Sequence, residues 1–251
     1  MAKLSILSAM EYTTSFWAKI IGMFFNDVAI GTLWYIMFLR FPEINGWHFA
    51  DMLTLFALVT TQAGIMLIFA GGVHHIAKTI MMGELDYYLS FPKPVLWHLW
   101  STRTDIAAIG DLLFGLFIFF FFRGPSLTDT VIFLLMALLT AAILLNIMTI
   151  LHTFAFYFHA FEEVVHQYYG ILLGFAFVPQ SVFTGSIKTL MQTVFPIYFL
   201  ITLPAQIMQQ WNWHTVGVLF LFWFGTFIFA LKFFNHGLKR YESGNLINVR
   251  I

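Results

Sequence analysis

Apolar residues run along this chain in blocks of about 20, separated by short polar stretches. One bilayer crossing needs roughly 20 mostly apolar residues. The blocks predict membrane spans at about 20–41, 49–73, 99–122, 127–157, 168–184 and 214–234. Ahead of the first block the pattern changes. Leu4, Ser8, Glu11, Ser15 and Lys19 follow one helical stripe, and Ile6, Met10, Thr13, Trp17 and Ile20 follow another. This predicts an amphipathic helix over residues 3–20, lying in the membrane interface. Its polar residues interrupt what would be the apolar core of a cleavable signal, so the start of the chain is expected to stay in place.

Two segments break the regularity. Residues 74–94 are polar and punctuated by Gly83, Pro92 and Pro94. They predict a short helix at the membrane surface, or a plain solvated loop. Residues 185–213 are apolar enough to span, but Pro196 and Pro204 divide them. Each piece is too short to cross about 30 Å of hydrocarbon. A re-entrant hairpin is expected there, with a Pro-kinked seventh span as the alternative. The fold class is therefore an all-α integral membrane protein of six transmembrane helices. An interfacial helix precedes the spans, a surface helix follows span 2, and an outer re-entrant hairpin joins spans 5 and 6. Residues 1–251 form a single membrane domain.

Composition and charge refine this picture. Of the 251 residues, 60% are hydrophobic and only 10% charged, too few for the surface of a soluble domain. With both ends inside, the inner segments hold Lys3, Lys19, Lys78, Lys93, Arg103, Lys232, Lys239, Arg240 and Arg250. The outer segments hold Arg40, Arg123 and Lys188. This positive-inside bias supports six spans with cytoplasmic termini. Net charge is zero and no basic tail occurs, so nucleic acid is not an expected partner. The chain has no cysteine, which excludes thiol catalysis and cysteine-ligated metals.

No phosphate loop and no familiar hydrolase motif occurs. Two carboxylates fall within spans. Asp111 is expected deep in span 3, and Asp27, beside Asn26, at a shallower level in span 1. An ionised Asp at mid-bilayer costs about 2.5–3.5 kcal/mol, so such residues face protein or water. They would line a polar pathway or form an interhelical hydrogen bond. His159, Glu163 and His166 share a helical face at i, i+4, i+7, a spacing that suits either a metal or a solvated helix start. An intramembrane metal-dependent enzyme is the alternative function this leaves open, and a passive channel or scaffold subunit is a further one.

Gly83-Glu84-Leu85-Asp86-Tyr87-Tyr88-Leu89, followed by Pro92, resembles a signature of six-span permeases of type-2 ABC exporters. Two later stretches are similar to the same family. One is Pro179 to Gly185, followed by Phe195-Pro196 and Pro204-Ala205. The other is Gly237-Leu238-Lys239-Arg240-Tyr241-Glu242-Ser243. Val178 stands before Pro179 where the family's pattern has an aromatic. Gly244-Asn245 replaces the small residues that follow the serine. The resemblance implies a non-enzymatic transport subunit forming half of a translocation pathway. Gly83, Glu84, Leu85 and Asp86 would lie at or near the contact with a separate cytoplasmic ATPase, which would bind the ATP and Mg. No cofactor or metal is expected in this chain. A second permease subunit, identical or homologous, would complete the pathway in the plasma or inner membrane of a prokaryote. The hairpin marked by Pro179, Gly185, Pro196 and Pro204 would sit at the outer face.

Overall fold

A computed structural model describes residues 10–158, 161–178 and 182–241. Residues 3–9 of the expected interfacial helix, together with His159, Pro179 and the tail beyond Tyr241, lie outside the described residues. The helices, in chain order, are α1 (Thr13–Arg40), α2 (Phe49–Ala70), α3 (Ile76–Met81), α4 (Leu85–Leu89), α5 (Val95–Ser101) and α6 (Ala108–Arg123). They continue with α7 (Leu127–Thr153), α8 (Phe161–Ala176), α9 (Gly185–Thr193), α10 (Leu203–Gln209) and α11 (Trp213–Leu238). The protein is an all-α membrane protein, with one small hairpin among the described residues, β1 (Glu43–Ile44) with β2 (Trp47–His48). Asn45 and Gly46 make its two-residue turn with φ of 48° and 84°, as Asn-Gly in a tight hairpin does.

Among the described residues four helical stretches are long and apolar enough to cross a bilayer: Thr13–Arg40, Phe49–Met81, Leu127–Phe156 and Trp213–Leu238. The pair Gly185–Thr193 and Tyr198–Gln209 qualifies only as one broken unit, bent by 72°. α2 lies at the centre, packed against α6 and α7, with α1 outside α6 and α11 outside α7. Small residues set these crossings. A side chain at Gly64 would lie 2.8 Å from the Leu112 nitrogen, and one at Gly115 would collide with Thr60 and Thr61. Gly110 brings α6 equally close to the Ile20 carbonyl of α1. Lipid offers no hydrophobic drive to pair helices, so close backbone approach through small residues supplies the packing.

The structure moves three expected boundaries. α1 is continuous from Thr13, so the helix expected to end near residue 20 merges with the first span. The stretch expected as span 3 is divided into α5, an irregular Thr102–Ala107 link, and α6 of 16 residues. The polar run Thr102-Arg103-Thr104-Asp105 causes the break. Asp105 accepts from the Ala107 amide at 2.9 Å and donates its own amide to the Leu67 carbonyl at 3.1 Å. α8 starts at Phe161, ahead of the span expected from about 168, and Glu162 and Glu163 sit in its first turn where the helix dipole favours acid.

Caps account for the remaining ends. Gly124, at φ 52°, ends α6. Ser126 then caps α7, accepting from the Asp129 amide at 3.2 Å while its own amide donates to Asp129 Oδ2 at 3.1 Å. Residues 185–213 hold two short helical pieces, as their two prolines led one to expect, but only one proline makes the break. Pro196 marks the 72° bend, but the chain passes Pro204 without interruption. Tyr198–Thr202 widen into a π-turn ahead of it. That turn accommodates the backbone where the proline lacks an N–H.

Candidate functional site

The first site is the surface segment after α2. Gly71 and Gly72 end α2 in a 3-10 turn, and a side chain at Gly72 would collide with the Leu99 carbonyl of α5. α3 then packs inward through Ile76, Ala77 and Ile80. The Ala77 amide donates to His152 Nδ1 of α7 at 3.4 Å, and Trp100 Nε1 donates to Thr149 Oγ1 at 3.0 Å. Two bonds end α3. The Gly83 amide donates to Ile80 O at 3.2 Å and the Glu84 amide to Thr79 O at 3.0 Å. This Schellman arrangement needs a left-handed residue, and Gly83 supplies it at φ 70°. Leu85 is fully buried and pins α4 to the bundle. Glu84, Asp86 and Tyr87 are exposed around that anchor, with Met82 and Leu89 beside them.

The end of α11 joins this segment. Gly237 lets the helix lie directly on the Phe156 ring. The Arg240 guanidinium stacks 4.7 Å over the Tyr157 ring. Tyr241 lies against Leu85 and Asp86, and its burial, together with the Asp86 charge, holds the phenol above its ordinary pKa. The motif at 237–241 and the motif at 83–86 therefore meet in space.

The second site is a cavity of about 390 Å³ between α1, α2, α6 and α8. Asn26, Asp27, Thr60, Asp111 and Tyr169 give it polar positions, and Phe177, stacked at 4.5 Å on Phe56, closes one side. The expected difference in depth between the two carboxylates does not hold here, because both line one cavity. Asp27 falls halfway along the continuous α1, whereas Asp111 sits in the first turn of α6, roughly 5 Å from its start. A carboxylate in a first turn suits the helix dipole. The structure brings Asp27 and Asp111 into side-chain contact, a pairing no sequence spacing indicated.

At the opposite end of the bundle, Arg123 donates to Thr54 Oγ1 at 3.0 Å and to the Met208 carbonyl at 3.2 Å. Gln209 Nε2 donates to Asp51 Oδ1 at 2.8 Å. These bonds tie the end of α10 to α2 and α6. The arm after Pro196 is buried through Leu200, Ile201, Leu203 and Ile207, while Gly185 starts α9 at φ 57° on the exposed side. Sequence reasoning missed this Arg123 bracket. Arg123 reads as a span-ending charge, and its partners lie far away in the chain.

Among the described residues no three His, Asp or Glu side chains converge as a metal site would require. His166 instead faces Glu162 one turn away, with Nε2 and Oε1 3.8 Å apart. A family model described as ABC-2 family transporter protein matches residues 24–244. No curated protein and no solved structure gives a significant match.

Proposed function

The chain belongs to the ABC-2 family of transporter proteins, and from that premise we propose that it is the exporting permease half of an ATP-driven complex. The reading has six spans with both termini in the cytoplasm. α6 and α8 serve as the two short spans, and the bent segment 185–213 is a re-entrant hairpin at the outer face. Positive-inside bias supports this orientation, because Lys78, Lys93, Arg103, Lys239 and Arg240 fall at one end. The complex is completed by a second permease subunit, identical or homologous, in a prokaryotic inner membrane. Separate cytoplasmic ATPase subunits bind ATP and Mg.

The observation that carries the reading is the surface around Gly83–Asp86. Exposed Glu84, Asp86 and Tyr87 surround the buried Leu85, so the segment offers polar and aromatic groups on a rigid mount. Gly83 shapes the turn and Leu85 anchors it. Glu84 and Asp86 make the ATPase contact. When nucleotide brings the ATPases together, the mount moves, and α2 and α7 move with it. Access to the cavity beside Asp27 and Asp111 then alternates between the two membrane faces.

The test is co-purification in mild detergent followed by ATP-driven transport in vesicles. An ATPase subunit is expected to co-purify with the wild-type chain. Replacing Glu84 and Asp86 together with alanine is expected to weaken its retention and uncouple hydrolysis from transport. Unchanged retention and transport in that double variant would falsify the coupling assignment.

A further inference from the structure

The cavity between α1, α2, α6 and α8 has a charge balance that no residue in its wall corrects. Asp27 is only 2% exposed and Asp111 5%. Their side chains touch each other, yet the second carboxyl oxygen of Asp27 is buried without a hydrogen-bond partner. Among the described residues no lysine or arginine lines the cavity, and a third carboxylate, Asp105, lies exposed on its rim. Facing carboxyl groups in apolar surroundings need a proton or a cation between them. At about 390 Å³ the cavity is larger than a bare ion and its first ligands require, and falls in the range of small-molecule sites. Apart from Asn26, Thr60 and Tyr169 its remaining wall is apolar, with Ile30, Val59, Leu67, Leu173 and Phe177 facing in.

We propose that this cavity binds an organic cation with an apolar body, its positive charge seated against Asp27 and Asp111. Such a molecule satisfies the unpartnered oxygen and fills the apolar wall at once. That the cation is cargo rests on the permease reading given above; that it binds does not. Asp105 on the rim gives the same sign of charge at the entrance, which favours capture of cations over anions.

Tetraphenylphosphonium and tetraphenylborate have the same shape and opposite charge, and serve as probes. Equilibrium dialysis uses the full chain in phosphatidylcholine nanodiscs, with empty nanodiscs subtracted. The wild-type protein is expected to bind the phosphonium saturably and the borate not at all. D27N is expected to weaken phosphonium binding by about tenfold or more, and D27N with D111N to remove it, while D27E keeps it. Equal binding of phosphonium and borate by the wild-type chain would overturn the proposal without relying on any variant. So would undiminished phosphonium binding by the double variant, which would leave the pair as an interhelical contact. The dialysis uses the chain alone, so failure of an ATPase to co-purify sinks the permease reading and leaves this result intact.

Discussion

α1 and α2 are both long and apolar enough to cross a bilayer, and they have opposite surroundings. In the most apolar window of α2, 78% of residues are buried within the protein, against 11% for α1. The difference lies in residue size. α2 carries Ala57, Thr60, Thr61, Ala63 and Gly64 against its neighbours, and Gly115 answers from α6. α1 turns Trp17, Phe25, Leu33, Tyr35 and Leu39 outward. In a membrane protein, hydropathy reports that a helix crosses, while small residues report which of its faces meets protein.

The sharpest way to break this comparison is to enlarge Gly115. Leucine there has to displace Thr60 and Thr61, so G115L is expected to cost about 3 kcal/mol or more, read as loss of thermal stability in detergent. A milder test pairs two phenylalanines of α6. Phe119 is buried and stacked 3.9 Å from Phe133, whereas Phe121 is 70% exposed. F119A is expected to lose about 2 kcal/mol, because lipid cannot refill the packing it leaves, and F121A close to nothing. Smaller again is the polar clasp between α7 and α11, where Asn146 donates to Thr226 Oγ1 at 3.2 Å. N146L is expected to cost about 0.6 kcal/mol in the same melt, the usual scale for an interhelical bond in a membrane. The smallest effect belongs to α1. A side chain at Gly22 meets nothing within 4 Å, so G22A is expected to leave stability unchanged or raise it by up to about 1 kcal/mol. If G22A proved as harmful as G115L, size would not be what separates the two helices.

Much of the fold was legible because polarity alone draws it. α2, α7 and α11 begin at Phe49, Leu127 and Trp213, where polar residues or caps give way to long apolar runs. The misplacements have one physical origin, in that residue type was read without the local backbone bonds that decide what it does. Glu162 and Glu163 read as a solvated helix start and do occupy the first turn of α8, but the span itself was placed only from about 168. Arg103 and Asp105 looked tolerable inside a span but divide it, since Asp105 commits its side chain to the local backbone. Pro204 looked like a breaker, and a widened turn accommodates it. The Gly83 segment was legible as a motif, yet the division of labour between Gly83 and Leu85 required the backbone and burial of the folded chain. The meeting of Asp27 and Asp111 was not legible, since nothing in a linear pattern relates the faces of two helices so far apart in sequence.

The joint between the 83–86 turn and the end of α11 has a mechanical meaning. Two stretches that read as separate signatures are clamped together by Tyr241 on Leu85 and Asp86, by Arg240 on Tyr157, and by Gly237 on Phe156. A force applied at the turn thus has a rigid route into the last span as well as into α2 and α7, without passing through lipid. On the proposed permease reading the turn would act as the short arm of a lever whose long arm is α11. Loosening the clamp at Gly237 would let the short arm swing while the long arm stayed still.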